Sequence, residues 1–314
     1  MTAMLSRIAE SLFWIGRYVE RADDTARILD AYVHRILEDP WADEEASCRS
    51  LLRILGVAQP EVVVGSATVL ELLAFDSTTA SSIAGAWHAA RENARGAREI
   101  ISSELWEALN ATWVAFPQQR VASQRLGPHA LLGFVRERAA MVNGLAESTM
   151  SHDDGWRFLV LGRSLERVDM TARLLSTRVL AADHAPSWTT LLQACGAEET
   201  FLRTYRGALD AGHIAEFLLL DRLFPRSVFA ALVDAERCLL ELEPDVGRAG
   251  VGDPARRIVG RARTGLEYVD AGVLLADLPE HLERIQAASL EASAAVAKRY
   301  FQYAAPVAWL HEEG

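Results

Sequence analysis

A fifteen-residue stretch of this 314-residue chain occurs twice, and no other feature restricts the fold so tightly. Residues 15–29 (Ile15-Gly16-Arg17-Tyr18-Val19-Glu20-Arg21-Ala22-Asp23-Asp24-Thr25-Ala26-Arg27-Ile28-Leu29) return as residues 161–175, with nine positions identical. Five of the nine are charged: Arg17/Arg163, Glu20/Glu166, Arg21/Arg167, Asp23/Asp169 and Arg27/Arg173. Surface drift erases charged positions early, so their retention in two copies of one chain asks for a physical cause.

Both copies have the period of a helix. Leu12, Ile15, Val19, Ala22, Ala26, Leu29 and Val33 step by three and four, and so do Phe158, Leu161, Leu165, Val168, Ala172, Leu175 and Val179, which gives each helix a buried seam. Gly16, Glu20, Asp23 and Arg27 fall within roughly a 60° arc beside that seam, and Gly162, Glu166, Asp169 and Arg173 repeat the arc. A glycine inside a helix costs up to about 1 kcal/mol relative to alanine. Its presence in both copies points to close packing or to the approach of a ligand.

Local pairing alone does not account for the stripe. Asp23–Arg27 and Asp169–Arg173 are i,i+4 pairs and Arg17 can reach Glu20 at i,i+3, each worth a few tenths of a kcal/mol when exposed. Two stronger explanations stand side by side. One is a partly buried ionic network joining the two helices, in which loss of one partner costs about 3–5 kcal/mol. The other is a functional site with Glu20, Glu166, Asp23 and Asp169 as candidate catalytic groups and the arginines as anion-binding groups.

A second element recurs in the same order: Glu71-Leu72-Leu73-Ala74-Phe75-Asp76 matches Glu216-Phe217-Leu218-Leu219-Leu220-Asp221, and Ser82-Ile83 falls on Ser227-Val228. The expected architecture is therefore an all-α helical bundle of two duplicated halves, about 1–150 and 151–314, related by a pseudo-twofold and together forming one domain. Composition agrees. Ala, Leu, Arg and Glu dominate, and the only β-branched run, Val62-Val63-Val64, is too short to seed a sheet. Helix breaks are expected near Asp39-Pro40, Pro60, Pro117, Gly127-Pro128, Asp183–Pro186, Phe224-Pro225, Pro244–Pro254 and Pro279.

A net charge of −11 argues against a general nucleic-acid surface, and the arginines near 91–98 and 256–263 are expected to be solvated helix faces. No apolar run approaches the about twenty residues a membrane span needs, and Arg7 and Glu10 interrupt any signal-like core, so a cytoplasmic protein is expected. Cys48, Cys195 and Cys238 lack metal-ligand spacing; buried free thiols and no metal site are the expectation.

In Asp221-Arg222-Leu223-Phe224-Pro225-Arg226-Ser227 the chain turns into a helix expected over Val228 to Leu242, with proline in its first turn. Arg226 opposes the helix macrodipole there, so it needs an anionic partner, either Asp221 or a bound carboxylate or phosphate; an Asp221–Arg226 clasp is the favoured reading. Asp221, Arg226 and Ser227 are thus anion-site candidates. Asp76-Ser77-Thr78-Thr79-Ala80-Ser81-Ser82 has no such arginine, so any anion site is asymmetric. The stripe differs too: Tyr18 becomes Ser164, Asp24 becomes Met170 and Asp30 becomes Ser176.

The residues from Met4-Leu5-Ser6-Arg7 through Ile15-Gly16-Arg17-Tyr18-Val19-Glu20-Arg21, together with Arg91-Glu92-Asn93-Ala94-Arg95, Ser102-Ser103-Glu104-Leu105-Trp106-Glu107, Gly155-Trp156, Leu161–Arg167, and Glu216–Asp221 with Phe224-Pro225-Arg226-Ser227, resemble the bacterial alpha-E family. The likeness covers nearly the whole chain, although Thr79-Ala80-Ser81-Ser82 stands where the family suggests an Asn-Pro-x-Ser-like turn. The resemblance implies association with a circularly permuted ATP-grasp protein, in some systems with a transglutaminase-like protease, in peptide synthesis or modification by ATP-driven amide formation. On that reading ATP and magnesium are expected on the ATP-grasp partner, and no cofactor is assigned to this chain. Arg17, Arg21 and Arg27 with Arg163, Arg167 and Arg173 would then line a groove for a peptide, amine or acyl phosphate, with a glutamate orienting or deprotonating an amine. The alternatives are an independent all-α enzyme whose Glu20-x-x-Asp23 and Glu166-x-x-Asp169 helices bind an anionic or metal-diphosphate ligand, and a noncatalytic scaffold.

Overall fold

The structure is a computed structural model and describes residues 6–38, 43–180, 187–206, 209–245 and 247–301. Among these residues every regular element is helical. In chain order they are α1 (Ser6–Glu38), α2 (Glu44–Ile54), α3 (Ser66–Leu70) running into a π-helical turn (Glu71–Phe75), α4 (Ile83–Gly96), α5 (Ser103–Leu126), α6 (Pro128–Thr149), α7 (Asp154–Leu180), α8 (Trp188–Ala194), α9 (Glu198–Tyr205), α10 (Ala211–Leu220), α11 (Val228–Leu242), α12 (Pro254–Glu267), α13 (Ala271–Ala276) and α14 (Leu278–Tyr300). Val62 and Val63 stand exposed in an irregular segment.

The two long repeat helices, α1 and α7, pack on each other at the centre of the bundle. α1 also carries α4 and α6, with α5 laid over that pair; α7 carries α11 and α14, with α12 laid over them. The apolar seams explain this placement. Leu12, Ile15, Val19, Ala22, Ala26 and Leu29 are buried, as are Phe158, Leu161, Leu165, Val168, Ala172 and Leu175; only Val33 and Val179, toward the helix ends, are half-buried. At roughly 1.5–3 kcal/mol for each large aliphatic side chain, this burial supplies the main drive for the crossing.

Local sequence sets the ends. Ser82, Ser102, Ser187, Ser227, Asp210, Asp253 and Asp270 each cap a helix by accepting from a first-turn N–H, worth about 1 kcal/mol apiece. Asp153 Oδ1 accepts from Gly155 and Trp156 N–H at the start of α7. Gly56 (φ 67°) and Gly196 (φ 62°) close α2 and α8 in the same Schellman geometry, with Val57 N–H donating to Leu52 O and Ala197 N–H to Leu192 O.

One expected break and one expected helix start are corrected. α5 continues through Pro117, whose ring lies on the exposed side of the helix, and the helix packs on α4 and α6. Pro225 precedes the Ser227 cap rather than lying in the first turn of α11, while the span Val228–Leu242 is as expected. The breaks expected at Asp39-Pro40 and Asp183–Pro186 lie outside the described residues. Cys48, Cys195 and Cys238 are buried free thiols.

Candidate functional site

The crossing of α1 and α7 begins with its two glycines. A Cβ on Gly16 would lie 2.0 Å from Leu159 O, and one on Gly162 would lie 2.0 Å from Phe13 O. Backbone therefore touches backbone, and the long side chains one turn further along are brought across the interface.

There the Glu-Arg dipeptides exchange partners. Arg21 of α1 donates to Glu166 of α7 (Nε–Oε1 2.5 Å, Nη2–Oε2 3.0 Å), and Arg167 of α7 donates to Glu20 of α1 (Nε–Oε1 2.8 Å, Nη2–Oε2 3.2 Å). Glu20 and Glu166 are almost wholly buried. The expected i,i+3 contact of Arg17 with Glu20 is not made: Arg17 Nε instead bonds Glu166 Oε2 at 2.6 Å, its Nη1 bonds Ser293, and its guanidinium lies over the rings of Phe13 and Trp14. Its counterpart Arg163 has a buried Nε without a partner, and burial, followed by the neighbouring Arg167 charge, lowers its pKa. The i,i+4 pairs do form, Arg27 with Asp23 at 3.1 Å and Arg173 with Asp169 at 2.9 Å.

The expected Asp221–Arg226 clasp is also absent. Asp221 Oδ1 accepts from Leu223 and Phe224 N–H (2.9 and 2.7 Å), shaping the turn, while the Ser227 hydroxyl donates to Asp221 O at 2.5 Å and caps α11. Arg226 is thereby aimed at α1, where it meets Glu20 Oε1 at 2.8 Å and pairs with Asp23 and Asp24. The anionic partner that the macrodipole argument requires is thus three acids from another helix.

Electrostatics follow from this geometry. Burial pushes the Glu20 carboxyl up, but Arg167 and Arg226 outweigh it and hold the group down at about 2; Glu166 is likewise lowered, against its burial, by Arg17 and Arg21. Asp24 goes the other way. Burial, reinforced by Glu20 and Asp23 and only partly offset by Arg226, raises it to about 8, and its Oδ2 has no partner. Carboxylates lowered in this way are weak bases, and Glu20 and Glu166 each hold the guanidiniums that cross between the helices. Among the described residues no group of three or more His, Cys, Asp or Glu is arranged to hold a metal ion.

The stripe reaches open space at two places. One cavity, about 220 Å³, is bordered by Arg21, Thr25, Gly56, Ser81, Glu166, Asp169 and Arg173. The other, about 480 Å³, is bordered by Arg27, Asp30, His129, Arg136, Gly196 and Glu199, with Asp30 bonded to His129 and Arg136. Thr25, Gly56 and Gly196 escape a reading of the charged stripe alone. A third repeated element would have exposed the glycines: Leu51-Leu52-Arg53-Ile54-Leu55-Gly56 has the spacing of Leu191-Leu192-Gln193-Ala194-Cys195-Gly196. The arginine clusters near 91–98 and 256–263 are largely paired or stacked, Arg91 on Asn110 and Glu92, Arg98 on Trp106, Arg256 with Asp245 and Arg263 with Glu236 and Glu267.

No solved structure matches the chain. It is 27% identical over 318 residues, covering 92% of its length, to the uncharacterized protein Mb2597 of Mycobacterium bovis and to the uncharacterized proteins MT2643 and Rv2567 of Mycobacterium tuberculosis. The chain spans 34% of the length of these curated relatives. Among the described residues no helix is long and apolar enough to cross a membrane. Residues 4–301 match Alpha-E, a predicted alpha-helical domain with a conserved ER motif, and the chain belongs to the Alpha-E family.

Proposed function

We propose that the chain is the helical partner of an ATP-grasp amide-bond ligase in a cytoplasmic peptide synthesis or modification system, and that residues 1–150 and 151–314 are duplicated halves related by a pseudo-twofold. ATP and magnesium are supplied on the ligase, and a transglutaminase-like protease is a further partner of such a system. The observation that carries this reading is the 220 Å³ cavity in which Arg21 and Arg173, one from each repeat helix, border the same space. Two guanidiniums held by fixed carboxylates suit the carboxylate or acyl phosphate of a ligase substrate. Glu166 enters as a positioning residue that sets Arg17 and Arg21.

The test is ADP release by the cognate ATP-grasp protein with amine and acid substrates, measured alone, with the chain, and with its folded Arg173→Met variant. Stimulation by the wild type that the variant fails to give is the expected result. No effect of the wild type on turnover, and no association with the ligase, would end the partnership reading and leave the ion pairs as a lock within a scaffold.

A further inference from the structure

The two ends of the stripe meet different turns, and comparing them shows what one end lacks. Ser227 and Ser82 cap α11 and α4 in the same way, so Ser81, the residue before the cap, corresponds to Arg226. On the second-turn side the Arg226 side chain fills the space against Glu20, Asp23 and Asp24. On the first-turn side a serine stands at that position, Met170 replaces Asp24, and a cavity of about 220 Å³ is left.

One hydroxyl marks that cavity as a site rather than a gap. Thr171 on α7 donates to Arg226 O at 3.0 Å, which ties the second turn down. Its counterpart Thr25 on α1 is fully buried, borders the cavity, and its Oγ1 has no hydrogen-bond partner. A helix-interior threonine ordinarily satisfies its hydroxyl on a carbonyl one turn back, as Thr177 does on Arg173 O and Thr112 on Ala108 O, and burying one unpaired is costly.

Charge decides what the cavity accepts. On the Arg226 side that guanidinium already fills the position, in contact with Glu20, Asp23 and Asp24. On the Ser81 side only Glu166 and Asp169 remain, and they face Arg17, Arg21 and Arg173. A cation in the place of Arg226 would meet an uncompensated guanidinium; an oxyanion would neutralise it. Arg21 and Arg173 are partly exposed, so both can turn a free N–H edge to such a group.

We propose that the cavity between Thr25, Ser81, Arg21 and Arg173 is a binding site for a single carboxylate or phosphate group, and that the corresponding position on the other side is permanently occupied by Arg226. The proposal narrows the ligand class given above to one anionic group that the Thr25 and Ser81 hydroxyls also hold, and rests on that reading only for the groove, not for the ligase. Arg21 and Arg173 supply charge, and the Thr25 and Ser81 hydroxyls supply short-range donors.

The experiment uses the purified chain alone, so that its failure is separate from any failure of the ligase partnership. Inorganic phosphate and acetate are titrated by calorimetry at low ionic strength against the wild type, Thr25→Val, and Ser81→Arg/Met170→Asp, with the fold of each variant checked by circular dichroism. Thr25→Val, nearly isosteric, is expected to weaken binding about tenfold. The double variant recreates the Arg226–Asp24 arrangement and is expected to abolish binding. Saturation by phosphate alone assigns the site to phosphoryl groups, and saturation by acetate alone assigns it to carboxylates. Absence of saturable binding of either anion to the wild type, or undiminished binding by the folded double variant, would overturn the proposal.

Discussion

Gly16 and Gly162 interlock: the space a Cβ would need at each is taken by a backbone carbonyl of the opposite helix, Leu159 O for Gly16 and Phe13 O for Gly162. Neither carbonyl can move without its helix. Gly16→Ala and Gly162→Ala are each expected to cost about 3 kcal/mol or more despite alanine's better helix propensity, because α1 and α7 must separate along the whole seam. Urea unfolding monitored by circular dichroism checks this, and a neutral or stabilising alanine at either position would contradict the close approach.

Glu166→Gln is expected to be the more damaging of the two glutamate substitutions. It leaves Arg17 and Arg21 without an acid, whereas in Glu20→Gln Arg226 keeps Asp23 and Asp24. About 3–5 kcal/mol is expected for Glu166→Gln and less for Glu20→Gln, read from the same unfolding curves. Equal and negligible losses would show the network to be energetically idle.

Asp24 gives stability a pH slope of definite sign. Its carboxyl sits at about 8 in the folded protein against roughly 3.9 unfolded, so the native state binds the extra proton between these values and Asp24 lowers stability as pH rises from about 4 to about 8. Glu20 acts in the opposite sense, contributing stability above its unfolded value that is lost as pH falls toward about 2. Asp24→Asn is therefore expected to gain on the wild type steadily across pH 4–8 and to hold a constant advantage above that range. A melting-temperature difference independent of pH would refute the assignment.

The three thiols should be silent in the native state. Burial raises Cys48 to about 11 and Cys195 and Cys238 to about 12, leaving almost no thiolate at neutral pH. Iodoacetamide at pH 7.5 is expected to label the protein only after denaturant is added; mass spectrometry of the native reaction would reveal any exception.

Much of this arrangement is legible in the sequence, for reasons that differ by residue. The seam, the stripe and the close approach at Gly16 and Gly162 follow from periodicity and repetition within one helix, and the Ser227 cap with α11 over Val228–Leu242 follows from local turn chemistry. Nearness in sequence pairs Arg226 with Asp221, yet its acids lie about two hundred residues earlier on α1. Arg17 likewise passes over Glu20 for Glu166. Partner choice among like-charged candidates depends on helix packing, which no local pattern encodes. Thr25 carries no signal of its own; its importance emerges only beside Thr171 and the turn that Thr171 holds.

The exchange of partners between Glu20-Arg21 and Glu166-Arg167 also governs how the molecule comes apart. Each helix lends the counter-ion that makes the other's buried acid tolerable, so a chain with α1 seated and α7 undocked carries unpaired charge in its interior. Partial unfolding is penalised on both sides of the crossing at once. The protein should melt in a single step, and a cut between α6 and α7 should yield fragments that regain structure only when mixed.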